Sequence, residues 1–230
     1  TIKKIKKRIK LGDIYELNFC IDYYAKNINI DPYQSYNNLN LLTESPMSVF
    51  FKYNSLYIIS SSPERFIKRN NNKITTEPIK GTIRKNRIKH EDLKNISYLK
   101  NNSKELSENH MIVDLVRNDL SKIACKGSVK VKELASLYSF KNVHQLISSV
   151  EAEIKESIKF SEILKSSFPM GSMTGAPKIK SMELIDEFEK TQRGIYSGSI
   201  GYISPSKNFD FNVVIRSIIY DSDNNSLNIN

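Results

Sequence analysis

Apolar and polar positions alternate with two different periods along this chain, and the switches between the periods mark out its elements. Residues 2–10 set Ile2, Ile5 and Ile9 on one helical stripe among lysines and an arginine, with Gly12 as C-terminal cap. A basic amphipathic helix serves either a membrane surface or a protein core, and three isoleucines over two turns favour the core. Asp13 to Asp22 alternates like a strand, and a helical segment runs from Pro32 to Leu42. Residues 47–53 and 55–61 are β-branched and aromatic runs split by Asn54-Ser55, the mark of a hairpin. A second hairpin follows: Glu64 to Arg69 alternates, Asn70-Asn71-Asn72 turns, and Lys73 to Glu77 returns. The first half thus predicts a meandering antiparallel sheet.

The second half opens with the strongest helical pattern, residues 103–125. Leu106, Val113, Val116, Leu120 and Ile123 form its apolar stripe, Asn102 its N-cap with Glu105 three residues on, and Gly127 its stop. Val129 to Glu133 and Asn142 to Ile154 read as strands, 161–168 and 178–189 as helices, 195–203 and 209–220 as strands again. Residues 227–230 begin a return strand after a turn.

Composition narrows the class. With 230 residues the chain builds one sizeable core, and it has no internal repeat, no linker and no apolar run long enough for a membrane span. The net charge of +10 comes from scattered lysines rather than arginines clustered with aromatics, which argues against nucleic acid. Cys20 and Cys125 lack metal-ligand spacing and no signal-peptide core precedes them, so a reducing cytoplasm is the simplest setting.

Candidate chemistry gathers at the second hairpin. Glu64 lies six residues before the three asparagines and Lys80 eight after, so a hairpin brings the acid and the amine to one mouth. Such a pair is either a surface ion pair or a catalytic one; Pro78, Ile79, Gly81 and Thr82 around Lys80 favour the second, by desolvating the amine toward nucleophilic use. On the long helix Glu105, Glu108, Ile112, Leu115 and Asp119 share a second stripe, whose acids serve either the helix dipole or a hard cation such as Mg²⁺. His144 is either a structural hydrogen-bonding residue or an acid/base. The loop 169–178 ahead of a helix suits a carboxylate or phosphate, or is a plain junction. Arg216 sits among apolar residues on a strand and needs an anion, from the protein or from a ligand.

Assembled in order, these segments resemble the chorismate-utilising enzymes. The resemblance rests on Gly12-Asp13-Ile14-Tyr15-Glu16-Leu17-Asn18, Ser62-Pro63-Glu64-Arg65-Phe66, Pro78-Ile79-Lys80-Gly81-Thr82 and Glu105-Leu106-Ser107-Glu108-Asn109-His110-Met111 with Asp114 and Arg117-Asn118-Asp119. The loop 171–178 and the run from Gly198-Ser199-Ile200-Gly201-Tyr202 to Ile215-Arg216 complete it. It implies an α+β layered sandwich of antiparallel sheets flanked by helices, like that of anthranilate synthase component I. Within the family Pro-Ile-Lys-Gly-Thr resembles aminodeoxychorismate synthase, since anthranilate synthases generally carry alanine where Lys80 stands.

By the same resemblance Lys80 attacks C2 of chorismate, Glu64 protonates the departing C4 hydroxyl, and ammonia from a separate glutamine amidotransferase subunit enters at C4. Glu108 would bind Mg²⁺, His144 would be the active-site histidine, Gly81, Thr82 and Ser172 would contact substrate, and Tyr196 with Arg216 would hold the enolpyruvyl carboxylate. Residues 1–230 would form one chorismate-binding catalytic domain, incomplete at the C-terminus and, since it opens on Thr1, at the N-terminus. The family's glycine-rich substrate segment and second Mg²⁺ glutamate would then lie beyond Asn230, leaving residues 1–230 poorly active. A non-catalytic remnant of the family is the rival from another class.

Overall fold

The computed structural model describes residues 1–229. The first half of the chain holds helix α1 (Ile2–Lys10), strands β1 (Glu16–Leu17) and β2 (Tyr23–Lys26), helix α2 (Pro32–Thr43) and strands β3 (Met47–Tyr53), β4 (Leu56–Ser62), β5 (Arg65–Asn70), β6 (Lys73–Glu77) and β7 (Ile79–Arg84). Helices α3 (Lys89–Asn101) and α4 (Ser103–Ser121) follow, then strands β8 (Lys130–Ser139) and β9 (Val143–Glu153), helices α5 (Phe160–Ser167) and α6 (Gly171–Thr174), strand β10 (Gly175–Ala176) and helix α7 (Lys178–Phe188). Strands β11 (Gly201–Ile203), β12 (Phe209–Asn212), β13 (Ser217–Asp221) and β14 (Ser226–Ile229) complete the described chain.

Both hairpins form, but they belong to different sheets, which corrects the single meander. β3 and β4 join β2, β13 and β14 in a five-stranded sheet, while β5 and β6 enter a larger sheet with β11, β12, β9, β7 and β8. The cause is Pro63, which interrupts the ladder between β4 and β5 and so lets the chain change sheets. The same happens on the way back. The alternating run 209–220 is not one strand: β12 pairs β5, β13 pairs β4, and residues 213–216 carry the chain across. The two crossings are tied together, because the Val213 amide donates to the Glu64 carbonyl at 3.0 Å and the Ser61 amide to the Arg216 carbonyl at 3.2 Å.

A second departure concerns the strand that carries Lys80. β8 occupies one edge of β9 from Lys130↔Glu151 to Ser139↔His144, so β6 and β7 must share the other. They form one bent strand interrupted at Pro78, whose carbonyl accepts from the Ser148 amide at 3.1 Å. Asn102 caps α4 as its sequence predicts, with Oδ1 accepting from the Glu105 amide at 3.1 Å.

The main core lies between the larger sheet and helices α4 and α5, where Ile67, Ile74, Val113, Leu120, Val150, Ile163 and Val213 are fully enclosed. A smaller cluster of Ile5, Ile14, Leu184 and Phe188 seats α1 on α7. Only Ile5 of the α1 stripe reaches it, while Ile2 and Ile9 stay exposed. Of the strand expected over Asp13–Asp22 only β1 finds a partner, β10. Of that over 195–203 only β11 remains, because Ser197 takes a left-handed φ of 64° and its amide bonds Val214. The return strand after Asp221 is present as β14; Asn230 lies outside the described residues. Among the described residues no helix is long and apolar enough to cross a membrane.

Candidate active site

Glu64 stands at the first sheet crossing, and its surroundings favour its protonated form. The side chain is buried, and its Oε1 accepts from Ser172 Oγ at 2.7 Å. Burial, which disfavours the charged form, pushes its pKa up to about 7; the Ser172 hydroxyl, the charge of Lys80, the Ile79 amide and Arg216 oppose it and lose. A carboxyl poised there carries a proton to give at neutral pH.

Ser172 is held in place from below. Lys178 Nζ reaches Asp119 Oδ2 at 2.5 Å and the carbonyls of Pro169 at 2.7 Å and Ser167 at 3.1 Å, which ties the segment entering α6 to α4. Burial draws the Lys178 pKa down against the pull of Asp119. Asp119 is therefore a loop anchor rather than a third carboxylate on a metal-binding face, and it also meets Lys122 at 3.0 Å. In the loop 169–178 the Ser172, Thr174 and Lys178 side chains are bonded to the chain itself. The sequence reading missed this clamp, although a lysine just after Pro177 was a visible signal.

Lys80 lies on β7, near enough for its charge to act on Glu64. Its ammonium is ion-paired with Glu16 of β1, both largely buried, rather than with Glu64. The hairpin mouth does not close on Lys80, because the Pro78 interruption sends β7 onward along β9; only electrostatic influence links Lys80 to Glu64. The amine thus meets a carboxylate where the sequence suggested an apolar wall. Glu16 is the second residue that sequence reasoning passed over, and its other oxygen, Oε2, is buried without a protein partner. Asn109 of α4 steadies β7 by donating to the Lys80 carbonyl at 3.4 Å.

Gly81, with a φ of +91°, brings the backbone against α4, and a Cβ there would press on Leu146 and Glu105. Thr82 Oγ1 accepts from Gln145 Nε2 at 3.1 Å. Arg216 lines a cavity of about 120 Å³ with Gln145, Pro63, Thr43, Ser45, Phe140, Asn142 and Val143, and its own φ of +50° is a conformation a non-glycine residue seldom takes. Burial lowers its pKa while the charge of Glu64 raises it. No protein carboxylate lies within salt-bridge distance of Arg216 among the described residues, and the residue is exposed, so its guanidinium is open to water and to a ligand carboxylate alike.

Two expected members of the site lie elsewhere. His144 is buried, with Nε2 3.0 Å from Asp92 of α3 and Nδ1 2.7 Å from Ser139, so both ring nitrogens are engaged by the protein. Tyr196 lines a different groove from Arg216, with Arg193, Glu189 and Phe168; burial and a hydrogen bond with Cys20 raise its pKa. It does not share the Arg216 cavity.

Two carboxylates suit a hard cation. Glu105 and Glu108 lie one turn apart on α4, and the exposed Lys104 ammonium sits 3.9 and 3.2 Å from them, its pKa raised first by the Glu108 hydrogen bond. No group of three or more His, Cys, Asp or Glu side chains that could hold a metal occurs among the described residues. Mg²⁺ needs fewer, since one or two carboxylates plus substrate oxygens are its habit, and the unsatisfied Glu16 oxygen adds acceptor capacity nearby.

A family model described as chorismate binding enzyme matches residues 1–229. The chain is 40% identical over 216 residues to "Aminodeoxychorismate synthase component 1" of Escherichia coli (strain K12), covering 94% of this chain and 48% of that protein. It is 35% identical to "Anthranilate synthase component 1" of Aquifex aeolicus (strain VF5), covering 95% of this chain and 44% of that one. Among solved structures, anthranilate synthase component I from Streptococcus pneumoniae TIGR4 superposes with a TM-score of 0.88 at 30% identity, over 99% of this chain and 49% of that one. The layered fold of antiparallel sheets and flanking helices is therefore that of anthranilate synthase component I. The chain spans about half the length of the curated relatives it matches.

Proposed function

The chain belongs to the chorismate binding enzymes, and from that membership we propose that it aminates chorismate at C4 to give 4-amino-4-deoxychorismate. The observation that carries this reading is Lys80. It puts an amine within electrostatic reach of a proton-bearing Glu64, in a chain 40% identical to an aminodeoxychorismate synthase component 1.

The chemistry runs in two displacements. Lys80 first gives up a proton, for which Glu16 is the carboxylate in contact. Its amine then bonds C2, the ring double bonds shift, the C4–O bond breaks, and Glu64 supplies the proton with which the hydroxyl leaves as water. Ammonia next bonds C4 and passes one proton to the Glu64 carboxylate, the double bonds shift back, and the C2–N bond breaks to release Lys80 as the free amine, with the enolpyruvyl group still in place. Glu105 and Glu108 would hold Mg²⁺, whose charge offsets that of the substrate carboxylates when bound. Arg216 takes a carboxylate in its cavity, and Ser172 orients Glu64.

Ammonia would come from a glutamine amidotransferase subunit, as the words component 1 in the relatives' names suggest. A reducing cytoplasm suits the two free thiols, Cys20 and Cys125. The likeness to anthranilate synthases supports a second reading, in which the enolpyruvyl group is lost as pyruvate.

The test withholds ammonia. Chorismate should then add to the Lys80 peptide with loss of one water, detectable by mass spectrometry, and Lys80→Ala should lose both the adduct and amination. Amination by Lys80→Ala at the parent rate would exclude the lysine nucleophile.

A further inference from the structure

Gln145 is the polar group at the cleft that the two displacements leave unused. Successive residues on a strand face opposite ways, and β9 turns His144 toward Asp92 of α3 while Gln145 looks to Thr82 and the Arg216 cavity. The Gln145 side chain is 99% enclosed, at 1% exposure. Its Nε2 is spent on Thr82 Oγ1 at 3.1 Å, and its Oε1 is buried with no protein donor. A buried carbonyl oxygen in that state is costly unless a ligand brings it a hydrogen.

The chemistry of the ligand decides which hydrogen. On the reading proposed above, on which this inference rests, the substrate's carboxylates only accept and belong with the Arg216 guanidinium. Its C4 hydroxyl donates, and so does the ammonia that replaces it. Arg216 places these groups near one another, since it lines the Gln145 cavity and its charge reaches the Glu64 carboxyl that protonates the same hydroxyl. We infer that Gln145 is a specificity-determining residue for the C4 substituent: Oε1 accepts a hydrogen bond from the C4 hydroxyl of chorismate and then from the incoming ammonia.

Calorimetric titration with chorismate and with its 4-deoxy analogue, which lacks only the hydroxyl, tests this without covalent chemistry when every protein, the parent included, carries Lys80→Ala and so cannot form the adduct. The parent protein should prefer chorismate by about tenfold, the scale of one hydrogen bond that is otherwise left unmade. Gln145→Met keeps the length and loses the acceptor, so it should bind the two ligands alike; Gln145→Glu keeps an acceptor and should retain a preference. If Gln145→Met fails to fold by circular dichroism, Thr82→Val replaces it, since freeing the amide from its anchor should reduce the preference. A Gln145→Met protein, or failing it a Thr82→Val protein, with the parent's full preference overturns the inference and leaves the chorismate site standing. A parent that binds neither ligand overturns both.

Discussion

On the proposed reaction, the burial of Glu64 bears on both a rate and a stability. Its carboxyl, held near 7 by desolvation, must be protonated to release the C4 hydroxyl, so kcat at saturating ammonia should fall as pH rises through about 7. Glu64→Gln should lower the rate by about 10² to 10⁴ and abolish that falling limb. The stability effect has the same sign. The folded state binds this proton more tightly than the unfolded chain, so below the unfolded value of about 4.5 the burial costs nothing, and the penalty grows as pH rises toward about 7. At about 1.36 kcal/mol per unit, the parent should lose roughly 3 kcal/mol across that window relative to Glu64→Gln. Urea unfolding of both proteins at pH 4.5 and 7.5 measures it, and parallel stabilities at the two pH values would contradict a buried, neutral Glu64.

At the scale of elements, the site depends on a clamp between α4 and the segment before α6. Asp119 and Lys178 have side chains only 5% and 13% exposed, and Lys178 also binds two carbonyls. Removing one partner leaves the other charge buried, so Asp119→Ala should cost about 3–5 kcal/mol, whereas the double change Asp119→Leu with Lys178→Met should cost less than Asp119→Ala alone. Urea unfolding of the three variants decides; a double variant less stable than Asp119→Ala would mean the pair is worth more than its burial costs. The elements themselves were largely legible. The hairpin turns, the Asn102 cap and the α5 and α7 helices follow from residue types and periodicity, which act locally. The sheet crossings were not, because a run such as 209–220 alternates in the same way whether or not it changes sheets at 213–216. For the same reason the sequence placed Arg216 on a strand among apolar residues, whereas it is exposed and stands at the crossing, where its charge acts on Glu64. His144 and Gln145 are neighbours on one strand, and only the packing of α3 shows which faces the cleft.

For the molecule as a whole, the two crossings at Glu64 and residues 213–216 join the sheets into one framework and put an acid and an arginine at their junction, with Lys80 delivered by β7 along β9. The hairpin pattern made Glu64 and Lys80 visible as a pair, and strand alternation made Arg216 visible as a separate candidate. Glu16, Gln145 and the Asp119–Lys178 clamp emerged only from long-range packing, since each acts through a residue far away in sequence. The central claim is that this arrangement aminates chorismate without expelling pyruvate, and the identity of the product tests it most directly. The purified protein is given chorismate, Mg²⁺ and an ammonium salt, and the products are separated and weighed by mass spectrometry. The account predicts 4-amino-4-deoxychorismate with its enolpyruvyl group intact and no pyruvate; anthranilate together with an equal amount of pyruvate would contradict it.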